Sequence, residues 1–196
     1  MSAAPLSIED RLASAWAFLR GRHDGFHPAP LEPERAAPQA GHHLLLPIGR
    51  LDRPDRAAVG LVIDRGEAEA VASAMFALPR EALTDEDVAD ACAEACNVLS
   101  GCVVDLLRPA SPSEAGGLDL GLPRAVAADA YEAVSLASRL LALYELEGSG
   151  APSCADVRLV VYDPVQGPWG DESTRPTGAP PASNPAGSPS ATVPRP

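Results

Sequence analysis

Thr84 to Arg108 constrains the fold more than any other stretch of this chain, because it reads as one amphipathic helix with two opposed faces. Thr84 stands where an N-cap belongs, Asp87 three residues on is the acidic partner of a capping box, and Leu83 with Val88 is placed as a hydrophobic staple. Asp85, Glu86 and Asp87 fill the first turn, where the helix macrodipole favours negative charge. At about 100° per residue, Asp90, Glu94, Asn97 and Gly101 fall within about 60° of one another. Val88, Cys92, Cys96, Leu99, Val103 and Leu106 gather on the opposite side. Burying that apolar set, at roughly 1.5 to 3 kcal/mol per large side chain, turns the polar stripe outward.

The members of the stripe carry different weight. Asp90 and Glu94 suit an ordinary solvated face. Asn97 does not, because its amide competes for backbone hydrogen bonds in a helix interior, and the one other asparagine of this Ala-rich chain is Asn184. Gly101 costs about 1 kcal/mol relative to alanine in a helix interior. Two unfavourable helix residues on one line point to a surface that another molecule approaches closely.

Elsewhere the periodicity is simpler. Ile8 to Arg20 places Ile8, Leu12, Ala15, Trp16 and Leu19 at helical spacing after Ser7. Residues 21–41 carry four prolines and read as a loop. His23, His27, His42 and His43 lie in or beside it, read as exposed polar residues with a metal site as the alternative. His43 to Leu51 and Ala57 to Ile63 read as a hairpin turned at Asp52-Arg53-Pro54-Asp55. Glu67 to Leu78 reads as a helix, with Val71, Ala74, Met75 and Leu78 inward and Pro79 ending it. Gly117 to Ala128, Ala133 to Leu146 and Val157 to Tyr162 read as strands, although the Ala and Leu content of Tyr131 to Leu143 also suits a helix.

Composition narrows the function classes. A formal charge of −12, with every basic residue an arginine, argues against nucleic acid or an anionic membrane surface as partner. No apolar run approaches the roughly 18 to 20 residues that span a bilayer, and the N-terminus lacks a basic stretch followed by an apolar core, so a soluble, cytoplasmic protein is expected. Cys92, Cys96 and Cys102 fall in one helix without a CxxC and are read as small buried hydrophobes, with a metal or redox site as the alternative; Cys154 stands apart. Nine of the 33 residues from Pro164 to Pro196 are proline, which predicts a disordered tail over 164–196. The domain reading is therefore an N-terminal helix and Pro-rich loop over 1–41, a domain over 43–163, and the tail.

Asp90-x3-Glu94-x2-Asn97, followed by Gly101 and then Leu120-Gly121-Leu122-Pro123, resembles the CheC and CheX type phosphatases of bacterial chemotaxis and related two-component signalling. The acidic lead-in Leu83 to Asp87 and the Glu67 to Leu78 helix share the resemblance, which covers roughly residues 43–163. It implies dephosphorylation of the aspartyl phosphate of a response-regulator receiver domain. Glu94 would dock the regulator's lysine and Asn97 would orient the attacking water, with Asp90 and Gly101 on the partner-binding surface. It implies no cofactor or metal of the chain's own, the Mg²⁺ being supplied by the phosphorylated response regulator. The single E-x-x-N copy is similar to the CheX type, whose members commonly form homodimers. Two features depart from the pattern: Cys102 follows the glycine where many relatives have asparagine, and the segment from Asn97 to Pro123 is longer, with the Pro109 to Gly117 loop as the insertion.

Pattern and resemblance together predict a single α+β domain, CheC/CheX-like, with an antiparallel sheet and two main helices, Glu67 to Leu78 and Thr84 to Arg108, packed on it. The alternative to a phosphatase is a non-catalytic receiver-binding or scaffolding domain that keeps the surface without turnover.

Overall fold

In the computed structural model, which describes residues 6–32, 40–50, 53–107, 117–146 and 156–165, side chains ahead of the helices fix where three of them start. Ser7 and Asp10 form a capping box ahead of α1 (Ile8–Arg20). Asp64 accepts from the Glu67 amide at 2.8 Å to cap α2 (Arg65–Phe76). Thr84 Oγ1 accepts from the Asp87 amide while Asp87 accepts from the Thr84 amide at 2.8 Å, which starts α3 (Asp85–Val103) where the sequence places it. Those bonds from Thr84 hold the Asp87 carboxyl below its usual range.

The strands are β1 (Phe26–Pro28), β2 (His42–Arg50), β3 (Arg53–Ile63), β4 (Leu118–Leu120), β5 (Arg124–Ala125), β6 (Leu140–Leu146) and β7 (Val157–Tyr162). They form one sheet in the order β1-β6-β7-β3-β2-β4, with β5 also on the outer edge of β2, and every pair is antiparallel. The fold is α+β, as expected. Alternation along the strands sends Leu44, Leu46, Val59, Leu61, Leu159 and Val161 to one face, against Leu12 and Trp16 of α1, Val71 of α2, and Cys92, Cys96 and Leu99 of α3. Leu45, Ala58, Val62, Val160 and Tyr162 point to the other face, beneath α4 (Ala128–Ala137). Tyr131 of α4 lies so close over β3 that a Cβ at Gly60 would overlap its hydroxyl, which is why glycine stands there. Residues 1–41 contribute α1 and β1 to this core and sheet: Trp16 meets Phe26 edge to face at 6.0 Å, and Phe26 pairs with Leu146.

Several elements differ from the sequence reading. Ala133 to Leu146 is not one strand but the end of α4 followed by β6. Gly117 to Ala128 is broken into β4 and β5, because Gly121 turns against Pro47, donating to its carbonyl at 2.8 Å. Arg53, Pro54 and Asp55 belong to β3 rather than to a turn. Between the pairs Ile48↔Ala57 and Arg50↔Arg53, β3 carries extra residues, a bulge that accommodates a proline with no N–H to donate. The inward face of α2 is Ala68, Val71 and Ala72 with Met75 partly buried, whereas Ala74 and Leu78 are exposed. α3 ends at Val103 and tightens into a 3-10 turn, Val104–Leu107. The 21–41 stretch includes β1, and His43 is buried against the Tyr131 ring rather than exposed. Arg108, most of the Pro109 to Gly117 loop, Cys154 and the tail from 166 lie outside the described residues.

Candidate functional site

The apolar side of α3 decides how its polar stripe is presented. Val88, Ala91, Cys92, Ala95, Cys96, Leu99 and Val103 are buried in the main core. Leu106, in the turn beyond, is half-buried. Burial pushes the Cys92 thiol up to about 11 and the Cys96 thiol up to about 12, so both are protonated packing groups at neutral pH. Cys102 is half-buried, and its thiol lies 3.7 Å from the Arg11 carbonyl of α1. With that side anchored, Asp90, Glu94, Asn97 and Gly101 are all exposed.

The Asp90, Glu94 and Asn97 side chains make no hydrogen bond or ion pair among the described residues. The Asn97 amide therefore keeps two donors and an acceptor free for another molecule. A Cβ at Gly101 would meet nothing within 4 Å, so packing within the chain gives no reason for glycine there. The two acidic groups of α3 thus separate by cause: Asp87 is consumed by the cap, while Asp90 and Glu94 face outward without a partner among the described residues.

The flanks of the stripe come from the neighbouring helices. Arg11 reaches Asp105 at 2.8 Å, close to the Cys102 contact, while Phe18 and Leu19 share a groove with Glu94. α1 therefore runs antiparallel beside α3. Ala74 and Met75 of α2 complete the groove, whose volume is about 440 Å³. Sequence reasoning missed this groove, although one signal was present. Phe18 falls on the side of α1 away from Leu12, Trp16 and Leu19, and it is 83 % exposed.

Other clusters lie away from the stripe. Arg158 and Glu145, cross-strand partners in β7 and β6, pair at 3.0 Å and are both buried. Arg20 bonds Glu67 at 2.7 Å and ties α1 to α2. Among the described residues, no group of three His, Cys, Asp or Glu side chains is placed to hold a metal ion. No described helix is long and apolar enough to cross a membrane.

No family model matches the chain, and no curated protein matches it. Solved structures do. A CheX protein from Borrelia burgdorferi, solved as a CheX-CheY-BeF3-Mg complex, superposes with a TM-score of 0.54 at 13% identity, over 82% of this chain and 96% of that one. A chemotaxis protein CheX from Desulfovibrio desulfuricans gives 0.50 at 12% identity, over 81% and 96%. The fold is therefore of the CheC/CheX type.

Proposed function

We propose that this chain acts in two-component signalling on a response-regulator receiver domain, and that it hydrolyses the receiver's aspartyl phosphate. The observation that carries the reading is the outward stripe of Asp90, Glu94, Asn97 and Gly101 on a fold of the CheC/CheX type. A solved neighbour of that fold is a complex with CheY, which supports a receiver as the partner.

The chemistry asks little of the protein. An acyl phosphate already has a good leaving group, so hydrolysis mainly needs water held in line with the phosphorus–oxygen bond that breaks. As the water oxygen bonds to phosphorus, the bond to the aspartyl oxygen breaks, leaving inorganic phosphate and a free carboxylate. Asn97 supplies both a donor and an acceptor to fix that water, and no strong base is required. Glu94, one turn away on the same edge at about 5 to 6 Å between Cβ atoms, offers a carboxylate to the receiver's lysine. The Mg²⁺ that offsets the phosphoryl charge is the receiver's. Exposure of the whole stripe lets it enter a shallow pocket without rearrangement of α3.

The test uses a receiver labelled with acetyl phosphate. Added protein speeds loss of phosphate, and Asn97→Ala removes the gain while the protein stays folded, since the Asn97 side chain is exposed and makes no hydrogen bond among the described residues. No acceleration across the receivers of the source organism refutes the phosphatase. Binding to a phosphorylated receiver without acceleration assigns the receiver-binding role instead.

A further inference from the structure

Phe18 is the most exposed of the large apolar side chains among the described residues. It stands on the C-terminal turn of α1, where Leu19 is buried and Gly21 closes the helix, and it walls a groove whose far side is Ala74 and Met75 of α2. The single charged side chain lining that groove is Glu94, which has no ion-pair partner among the described residues. The chain has three phenylalanines. Phe26 is buried, while Phe18 and, next to Met75, Phe76 reach the surface on these two helices.

We infer that this groove is the part of the docking surface that selects the receiver, by taking the apolar side chain that adjoins the lysine docked on Glu94. Charge complementarity names the occupant. A groove that is apolar along α1 and α2 and anionic at Glu94 fits the alkyl stem of that same lysine, with its ammonium on the carboxylate and a neighbouring apolar side chain of the receiver against Phe18. An occupant with no positive charge would leave the Glu94 carboxylate desolvated beside it without a partner. The inference rests on the receiver-directed reading above and adds a residue on a different helix to it. Asn97 acts on the water, whereas Phe18 acts on which receiver is held and how tightly.

The test is titration of the full chain against a receiver activated with beryllofluoride and Mg²⁺, alongside steady-state dephosphorylation. Covering an exposed phenylalanine removes its apolar surface from water, so Phe18→Ser weakens binding and raises KM by roughly 10- to 100-fold, with kcat within about twofold. Phe18→Leu retains most of the affinity. Thermal melts stay close to wild type, because Phe18 is outside the core. Phe18→Ser and Phe18→Glu proteins that bind and turn over as wild type overturn the groove assignment, while loss of turnover in Asn97→Ala keeps the phosphatase reading. A self-associated wild-type protein that Phe18→Glu converts to monomer, with receiver affinity unchanged, gives the groove to a second copy of the chain and also overturns it. Wild-type protein that binds no receiver removes the functional reading and this one together.

Discussion

Replacing Gly101 by alanine pulls stability and function in opposite directions. Gly101 lies two residues before the end of α3 in helical backbone, and an added Cβ meets no atom within 4 Å. Alanine there limits the unfolded chain and suits the helix, so the variant gains about 0.5 to 1 kcal/mol, the lower end applying because the last turn frays. In a domain of this size that raises the melting temperature by roughly 1 to 4 °C. On the stripe, however, the methyl projects from the surface proposed to meet the receiver. Close-packed contacts absorb an extra methyl at a cost of about 1 to 3 kcal/mol, which is roughly a 5- to 100-fold loss of receiver affinity.

Thermal melting by circular dichroism and phosphate release from a labelled receiver read the two effects separately. Ala89→Gly is the reciprocal control: it is exposed on the same helix but off the stripe, so it lowers the melting temperature by a similar amount and leaves turnover per folded molecule unchanged. A Gly101→Ala protein that is more stable and fully active would show that nothing approaches α3 at this point, and the inference from the glycine would fail. A less stable one would contradict the open space around Gly101.

Two further outcomes test the local physics. Ala77 closes α2 in the left-handed region at φ 55°, a conformation strained for a side chain bearing Cβ, so Ala77→Gly raises stability by about 0.5 to 1 kcal/mol in denaturant titration; destabilisation would refute that cap geometry. The Asp156 carboxyl is held above its ordinary range, first by burial and then by Asp64 and Glu67, so the folded state favours its protonated form. Ionisation therefore costs stability as pH rises through the folded-state pKa, and the penalty vanishes below the unfolded value of 3.8. Asp156→Asn is accordingly more stable than wild type at pH 7, with the difference shrinking on acidification; a difference independent of pH would refute this assignment.

What the sequence made legible follows from which forces are local. α3 was readable because its cap, its acidic first turn and its apolar face agree, and each is encoded within a few residues of Thr84. The outward direction of Asp90, Glu94, Asn97 and Gly101 came from the same periodicity. α4 was obscure for the opposite reasons: no side chain caps it at Ala127, and its buried face is only Tyr131, Val134 and Ser135, so Ala and Leu content could not separate helix from strand. α2 was recognised but turned wrongly, because alanine on every side gives a helix little apolar contrast. Its buried face is instead Ala68, Val71 and Ala72, small residues that join the core shared with α1 and α3.

The groove beside Glu94 was beyond any local rule, since it exists only once α1, α2 and α3 converge from separate parts of the chain. The single residue that carried its signal was Phe18, and the sign was a mismatch. A large aromatic on the solvent side of a helix gains nothing from folding, and at the wall of a groove it is open to contact with another molecule. The same reasoning singled out Asn97, which the helix itself does not favour. Side chains without a partner among the described residues, one polar and one apolar, stand on adjacent helices around one carboxylate, and on the proposed reading that adjacency would join hydrolysis to partner choice in a single surface.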